Sequence, residues 1–212
     1  MIRFLFQGDS ITDVSRVDED DGGKGSYLFG YGYANLLASD YLRNRKGEIE
    51  FINRGVSGDR VVDLYARIKD DIINLKPDCM SILIGVNDVW HELTVQNGVS
   101  AEKYEKIYGM LIEEIKEALP EIKIIILEPF VLKGTGTEEK WELFRSEVER
   151  RAAAAKRIAE KFGLAFVPLQ NKFDEASSDG DTVYWTTDGV HPSAAGHQII
   201  KEELSKALDS II

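Results

Sequence analysis

The chain has 212 residues, of which 43% are hydrophobic, which is enough for one sizeable core in a single domain spanning residues 1–212. Its formal net charge of -11 at pH 7 argues against a nucleic-acid partner, because binding to phosphates requires clustered lysine and arginine. The first apolar run is too short for a membrane span or a secretory signal, so we expect a cytoplasmic protein without a membrane partner.

Short apolar runs alternate with longer amphipathic segments along the whole chain. The runs predict five buried strands at residues 2–6, 49–52, 80–84, 122–127 and 165–167. Helical spacing is found at residues 32–45, 61–75, 101–119, 138–162 and 193–208. Because strands and helices alternate, we expect a parallel sheet covered by helices on both faces, which is a three-layer α/β/α sandwich.

Small and amide residues follow each of the first three predicted strands. The first strand leads into Gly-Asp-Ser at 8–10, the second into the loop at 53–59, and the third into Gly-Val-Asn-Asp at 85–88. In a parallel sheet the loops at the carboxyl ends of the strands bind ligands. Glycine lets backbone N–H groups approach a ligand, and an amide donates a hydrogen bond without titrating, so this combination suits an oxyanion hole.

Three residues can supply the groups that a serine nucleophile requires. A serine hydroxyl needs an imidazole to take its proton and a carboxylate to hold that imidazole in the right tautomer. Ser10, His191 and Asp188 can fill these roles. Taken singly, each also has a structural interpretation, since Gly-Asp-Ser turns commonly end strands and His191 could simply precede the last helix.

The order of these blocks resembles that of the SGNH hydrolases, also called GDSL-type esterases. The resemblance spans residues 6–197 and implies a flavodoxin-like topology with a five-stranded parallel sheet. Ile11 stands where the GDSL name has leucine, a conservative apolar change. The residues that the resemblance implies are Ser10, Asp188 and His191 for the catalytic triad, and Ser10, Gly58 and Asn87 for the oxyanion hole.

Residues 85–90 and 191–197 look most like those of carbohydrate acetylesterases, including acetylxylan esterases. This resemblance implies a serine esterase acting on small acyl esters, mainly acetyl esters of carbohydrates such as acetylated xylo-oligosaccharides, with no cofactor or metal. Trp90 and Trp185 flank the site blocks and are candidates for binding the substrate. Asp9 is expected to brace backbone N–H groups of the oxyanion loops.

Three alternatives stay open. The first is a broader-specificity short-chain acyl esterase, lysophospholipase or thioesterase of the same superfamily. The second is a flavodoxin-like module that binds phosphate or flavin through Ser10 and Thr12, which leaves Asn87 and Asp188-x-x-His191 without a role. The third is a phosphate or glycosidic hydrolase built on carboxylates, although the sequence shows no histidine cluster or defined carboxylate pair for it.

The remaining polar residues are expected to be structural. Cys79 lies inside an apolar run and is expected to be a buried thiol. His197 is expected to pack or to lie at the surface, without a catalytic role. The acidic residues 18–21 are expected to form a solvated loop near the pocket mouth, and calcium binding there is disfavoured because the ligand spacing is missing. The sequence does not specify whether the chain forms a homo-oligomer.

Overall fold

The computed structural model describes residues 1–18 and 22–212, which contain a five-stranded parallel sheet. The order of the strands across the sheet is β2-β1-β3-β4-β5. The strands are β1 (Ile2–Gly8), β2 (Ile49–Asn53), β3 (Cys79–Leu83), β4 (Lys123–Leu127) and β5 (Ala165–Val167).

Helices connect successive strands and also follow the last strand, β5. They are α1 (Ser10–Asp13), α2 (Tyr33–Asn44), α3 (Val61–Ala66), α4 (Val86–Val95), α5 (Ala101–Ala118), α6 (Trp141–Phe162), α7 (Gln170–Ala176), α8 (Thr182–Trp185) and α9 (Ala194–Asp209). Short 3-10 turns occupy Gly25–Phe29 and Glu138–Lys140, and a π-helical turn occupies Lys69–Ile73.

The sheet separates two hydrophobic cores because successive side chains of a strand point to opposite faces. On β1, Phe4 and Phe6 pack with α2 and α9, whereas Leu5 between them packs with α3 and α5. All three side chains are fully buried, and burial of each contributes about 1.5–3 kcal/mol to stability. Helices therefore cover both faces, as predicted for a three-layer sandwich.

The winding of the chain changes direction at β1, since the chain passes from β1 to β2 on one side and then crosses to β3 on the other. Ligands of doubly wound sheets bind at such a switch point, outside the carboxyl ends of the strands. At this end Gly8 lies so close to β3 that a Cβ atom on it would meet the carbonyl oxygen of Leu83 at 2.4 Å. Only glycine lets the two strands approach so closely.

All five predicted strands are found, with ends that differ from the prediction by at most two residues. The predicted helix at 61–75 is instead α3 followed by the π-helical turn. Helices α1, α4, α7 and α8 were not predicted, because each has ten residues or fewer, too few to establish a helical period. Cys79 is buried, as predicted.

Two expectations concern the surface of the molecule. No helix of the described residues is long and apolar enough to cross a membrane. Of the acidic segment 18–21, Asp18 forms ion pairs with Arg16 and Arg54, and residues 19–21 lie outside the described part of the chain.

Candidate active site

Ser10 stands at the carboxyl end of β1, as the first residue of α1. The preceding residue, Asp9, caps this short helix, since its Oδ1 accepts a hydrogen bond from the N–H of Ile11 at 3.0 Å. The cap fixes the turn between strand and helix, and the Ser10 side chain remains partly exposed at the end of the sheet.

His191 and Asp188 lie in the loop between α8 and α9. Oδ1 of Asp188 accepts the backbone N–H groups of Val190 and His191 at 2.9 and 2.8 Å. Its Oδ2 lies 2.7 Å from Nδ1 of the His191 ring. An isolated bridge between Thr186 and Pro192 closes the loop at its base. The loop therefore presents the imidazole in one orientation.

The structure brings the three residues of the expected triad together. Oγ of Ser10 lies 2.8 Å from Nε2 of His191, although the two residues are 181 positions apart. With Asp188 ionised, Nδ1 of His191 carries the ring proton, and Nε2 is the acceptor that faces the serine hydroxyl. The arrangement can move a proton from Oγ to Nε2.

The same contacts determine the pKa values of Asp188 and His191. Burial alone would raise the pKa of Asp188, but the hydrogen bonds from the His191 ring and two backbone N–H groups lower it to about 2. The hydrogen bond to Asp188 raises the pKa of His191 above 6.5, while partial burial opposes that rise. Asp188 therefore stays ionised and stabilises the imidazolium form of His191.

The loop that carries Gly58 is tied to the serine turn. The N–H of Val56 donates to the carbonyl of Gly8 at 3.1 Å, and the N–H of Ser57 donates to Oδ2 of Asp13 at 3.1 Å. Gly58 has a φ of +87°, a left-handed conformation that glycine adopts at little cost. Its N–H belongs to a loop held at the carboxyl end of β2.

Asn87 lies in the first turn of α4 and is almost completely buried. Its Nδ2 donates a hydrogen bond to the carbonyl oxygen of Asp59 at 3.0 Å, which links α4 to the loop of Gly58. An amide NH₂ group has two hydrogens, so one remains for another acceptor. The next residue, Asp88, holds the start of α3, since its buried carboxylate accepts the N–H of Val61 at 3.2 Å.

The carboxylate of Asp9 is fully buried, and its one hydrogen bond in the described structure is the cap to Ile11. Its Oδ2 lacks a hydrogen-bond partner among residues 1–18 and 22–212. Burial raises the pKa of Asp9 to about 7, and the hydrogen bond from Ile11 only partly opposes that rise. The bracing contact of Asp9 is therefore within its own turn. Asp13 holds Ser57 before Gly58, and Asp88 holds Val61 after it.

A cleft of about 660 Å³ opens beside Ser10 and His191. Its walls include Ser15, Ser57, Thr187 and Ser193, together with Tyr31 and His197. Sequence reasoning missed Tyr31 and gave His197 no role in the site. Tyr31 belongs to no motif, and nothing in the block 191–197 marks His197 as a site residue. Only the folded chain shows that both residues share the cleft with Ser10.

The two tryptophans differ in their distance from the site. The ring of Trp90 lies 5.7 Å from that of His191 and 6.0 Å from that of Phe144. The ring of Trp185 packs edge to face against Tyr184 at 5.0 Å. Neither tryptophan is part of the cleft wall that the described residues form. Trp90 therefore borders the imidazole, while Trp185 packs beside α9.

Serine, histidine and aspartate side chains thus form a line at the end of the sheet where β1 ends, and serine hydrolases use an arrangement of this kind. The chain belongs to the GDSL-like lipase/acylhydrolase family, whose model matches residues 6–199. This match confirms the resemblance deduced from the sequence blocks.

Named relatives agree with this assignment. The chain is 35% identical over 208 residues to an acetylxylan esterase from Geobacillus stearothermophilus, across 93% of this chain and 90% of the relative. It is 26% identical to the isoamyl acetate-hydrolyzing esterase of Saccharomyces cerevisiae, across 98% of this chain and 86% of the relative. The chain is therefore a carboxylic ester hydrolase.

Solved structures share the fold. A crystal structure of the Geobacillus stearothermophilus acetylxylan esterase superposes with a TM-score of 0.84 at 33% identity, covering 98% of this chain and 94% of that chain. LAE5, an α/β hydrolase enzyme from the metagenome of Lake Arreo, superposes with a TM-score of 0.86 at 29% identity, covering 100% and 96%. The predicted five-stranded α/β/α fold is confirmed.

Proposed function

We propose that this ester hydrolase cleaves small acyl esters, chiefly acetyl esters of carbohydrates such as xylo-oligosaccharides, through an acyl-enzyme on Ser10. The observation that carries the proposal is the line from Asp188 Oδ2 through the His191 ring to Ser10 Oγ, with separations of 2.7 and 2.8 Å. The contact of 2.8 Å allows direct proton transfer from Ser10 Oγ to His191 Nε2, and the contact of 2.7 Å lets Asp188 orient the ring and stabilise its positive charge.

In the proposed first step, Oγ of Ser10 attacks the ester carbonyl carbon and its proton passes to Nε2 of His191. The carboxylate of Asp188 stabilises the imidazolium that forms. The bond to the alcohol then breaks, and Nε2 returns the proton to the alcohol oxygen as it leaves. A water molecule repeats the sequence on the acyl-enzyme, which releases the acid and restores Ser10.

Negative charge develops on the carbonyl oxygen during each attack. We assign the donors that meet it to the backbone N–H groups of Ser10 and Gly58 and to the second amide hydrogen of Asn87. Preorganised donors of this kind contribute roughly 3 kcal/mol each to the stability of the transition state. The hydrogen bond from Asn87 to Asp59 supports this assignment because it holds the amide and the Gly58 loop together.

Relatives support both the chemistry and the choice of substrate. The relative at 35% identity is an acetylxylan esterase. Structures of that esterase include two that are described as catalytic mutants, one with a serine and one with an aspartate replaced by alanine. Serine and aspartate are the residue types to which we give these roles at positions 10 and 188.

The role of Ser10 is tested by the Ser10→Ala variant together with labelling by a fluorophosphonate probe. We expect turnover of acetyl esters to fall by at least about 10³-fold and the label to be lost. Ser15→Ala removes another hydroxyl from the same cleft and serves as the control, with turnover and labelling retained. Turnover near that of the wild type in folded Ser10→Ala would refute the mechanism.

The substrate class is tested separately, by hydrolysis of aryl esters from acetate to octanoate and of acetylated xylo-oligosaccharides. We expect acetate esters to be cleaved fastest. A preference for octanoate would instead favour a lysophospholipase or a broader acyl esterase. Cleavage of acyl thioesters in preference to acetate esters would favour a thioesterase.

A further inference from the structure

Tyr31 and His197 form one wall of the cleft beside Ser10, which we call the Tyr31–His197 wall. Tyr31 precedes α2, and 69% of its surface is exposed. His197 is the fourth residue of α9 and is only 2% exposed. The two rings meet edge to face, with centroids 6.4 Å apart. This wall thus combines a solvent-exposed aromatic ring with a buried imidazole.

The hydrogen bonding of His197 fixes its tautomer. Nδ1 lies 3.2 Å from the backbone nitrogen of Tyr33, and a backbone N–H can only donate, so Nδ1 carries no proton. Burial lowers the pKa of His197 to about 4, and the positive charge of nearby His191 acts in the same direction. The neutral ring therefore carries its proton on Nε2, which makes Nε2 a hydrogen-bond donor.

The position of the His197 ring is set by its neighbours. The ring stacks on Tyr33 at 6.3 Å with an angle of 26° between the planes. Its edge packs so closely on Gly32 that a Cβ atom there would lie 2.7 Å from Cε1. A donor held in this way is ordered before any ligand binds, so little conformational entropy is lost on binding.

The size and lining of the cleft indicate what this wall binds. An acetyl group has two carbon atoms, whereas a cleft of about 660 Å³ accommodates a much larger ligand. The alcohol part of an ester must lie near His191, because Nε2 of that residue gives it a proton as it leaves. Serine and threonine residues line the same cleft beside Tyr31 and apolar side chains such as Ile11 and Val14. A sugar ring, which has both apolar C–H faces and hydroxyl groups, matches this mixed lining.

We propose that the Tyr31–His197 wall binds the sugar ring of the alcohol part, with the Tyr31 ring against a C–H face of the sugar and the Nε2–H of His197 donating to a sugar oxygen. This inference rests on the proposed function and adds the residues that select its substrate. Both residues act in substrate binding, and neither takes part in the transfer of protons.

The test compares two acetate esters that differ only in the alcohol, acetylated xylobiose and ethyl acetate, by titrating the acid released. In Tyr31→Ala we expect kcat/KM for acetylated xylobiose to fall about tenfold, mainly through KM, while ethyl acetate is cleaved as before. Tyr31→Phe keeps the ring and is expected to keep the wild-type preference. Tyr27→Ala is the matched control, since Tyr27 is 71% exposed and lies outside the described cleft wall.

His197→Asn removes the Nε2–H donor, and we expect the same loss confined to the sugar ester. If His197→Asn fails to fold, the result for Tyr31→Ala alone tests the proposed role of the wall. Equal losses on both esters in Tyr31→Ala, or no loss on either, would overturn the assignment of the wall and leave the esterase activity intact. A wild-type protein that releases acetate from neither ester would overturn the proposed function, and the wall with it.

Discussion

Asp188 contacts His191 at two points, through Oδ2 to the ring Nδ1 at 2.7 Å and through Oδ1 to the backbone N–H at 2.8 Å. One carboxylate thus fixes both the tautomer of the imidazole and the position of its backbone. The same contact raises the pKa of His191, because the negative charge favours the imidazolium form.

This contact predicts the acidic limb of the pH–rate profile. His191 accepts a proton only when neutral, so kcat/KM should fall as pH drops through its raised pKa, which lies above 6.5. Asp188→Asn removes the charge, so the limb should move to lower pH while the rate falls by about 10³- to 10⁴-fold. The measurement is kcat/KM on an acetate ester from about pH 5 to about pH 9.

Asp181→Asn is the control for Asp188→Asn, because Asp181 caps α8 nearby and is exposed. We expect its pH profile to match that of the wild type. An acidic limb that stays in place in Asp188→Asn would show that a group other than His191 controls the profile.

Substitution of two glycines distinguishes the effect of backbone strain on stability from a direct effect on catalysis. Gly58 and Gly180 have φ angles of +87° and +90°, and at both positions an added Cβ atom would have open space around it. Alanine at either site should therefore lower the free energy of unfolding by about 1–2 kcal/mol through backbone strain alone. Only Gly58→Ala should also lower kcat, because strain that turns its N–H weakens the oxyanion hole.

Urea unfolding and steady-state kinetics of the two variants provide the measurements. If Gly58→Ala and Gly180→Ala lose equal stability and keep equal kcat, the N–H of Gly58 is not an oxyanion donor. A fall of kcat in both variants would point to a general effect on the fold.

Asp9 predicts a dependence of stability on pH. Its pKa is raised from 3.8 to about 7 in the folded protein, so folding favours the protonated form. The contribution of this group to stability is therefore full below about pH 4 and is lost as pH rises to about 7. Asp9→Asn keeps an oxygen for the N–H of Ile11 and carries no charge. Its stability relative to the wild type should increase across this window, by about 1.4 kcal/mol per pH unit at most.

The measurement is the free energy of unfolding in urea at several pH values between those limits. Asp70→Asn, at an exposed carboxylate, controls for the general effect of removing one negative charge. A constant difference between Asp9→Asn and the wild type would show that the Asp9 carboxylate carries the same charge in the folded and unfolded states.

The sequence was sufficient for the parts of the structure that are encoded locally or in ordered blocks. Apolar runs predicted the five strands, and the blocks around Ser10, Asn87 and His191 predicted which loops meet. Short helices such as α4 were missed. The apolar residues of α4 have helical spacing, but they cover only ten residues, which is shorter than the window over which a helical period is recognised. Their helical state depends on packing against the sheet and α6 more than on local propensity.

The Tyr31–His197 wall was missed for a different reason. The contact of His197 with Tyr33 joins residues that are 164 positions apart, and it exists because α2 and α9 pack against each other on one face of the sheet. Neither the spacing nor the type of these residues indicates that contact. Sequence patterns therefore identify the side chains that react more easily than they identify the side chains that surround the reacting pair.

The separation of 181 residues between Ser10 and His191 has a consequence for biosynthesis. The serine leaves the ribosome roughly ten to forty seconds before the histidine does, at ordinary rates of translation. A nascent chain therefore carries an unreactive hydroxyl until the final helix docks on α2.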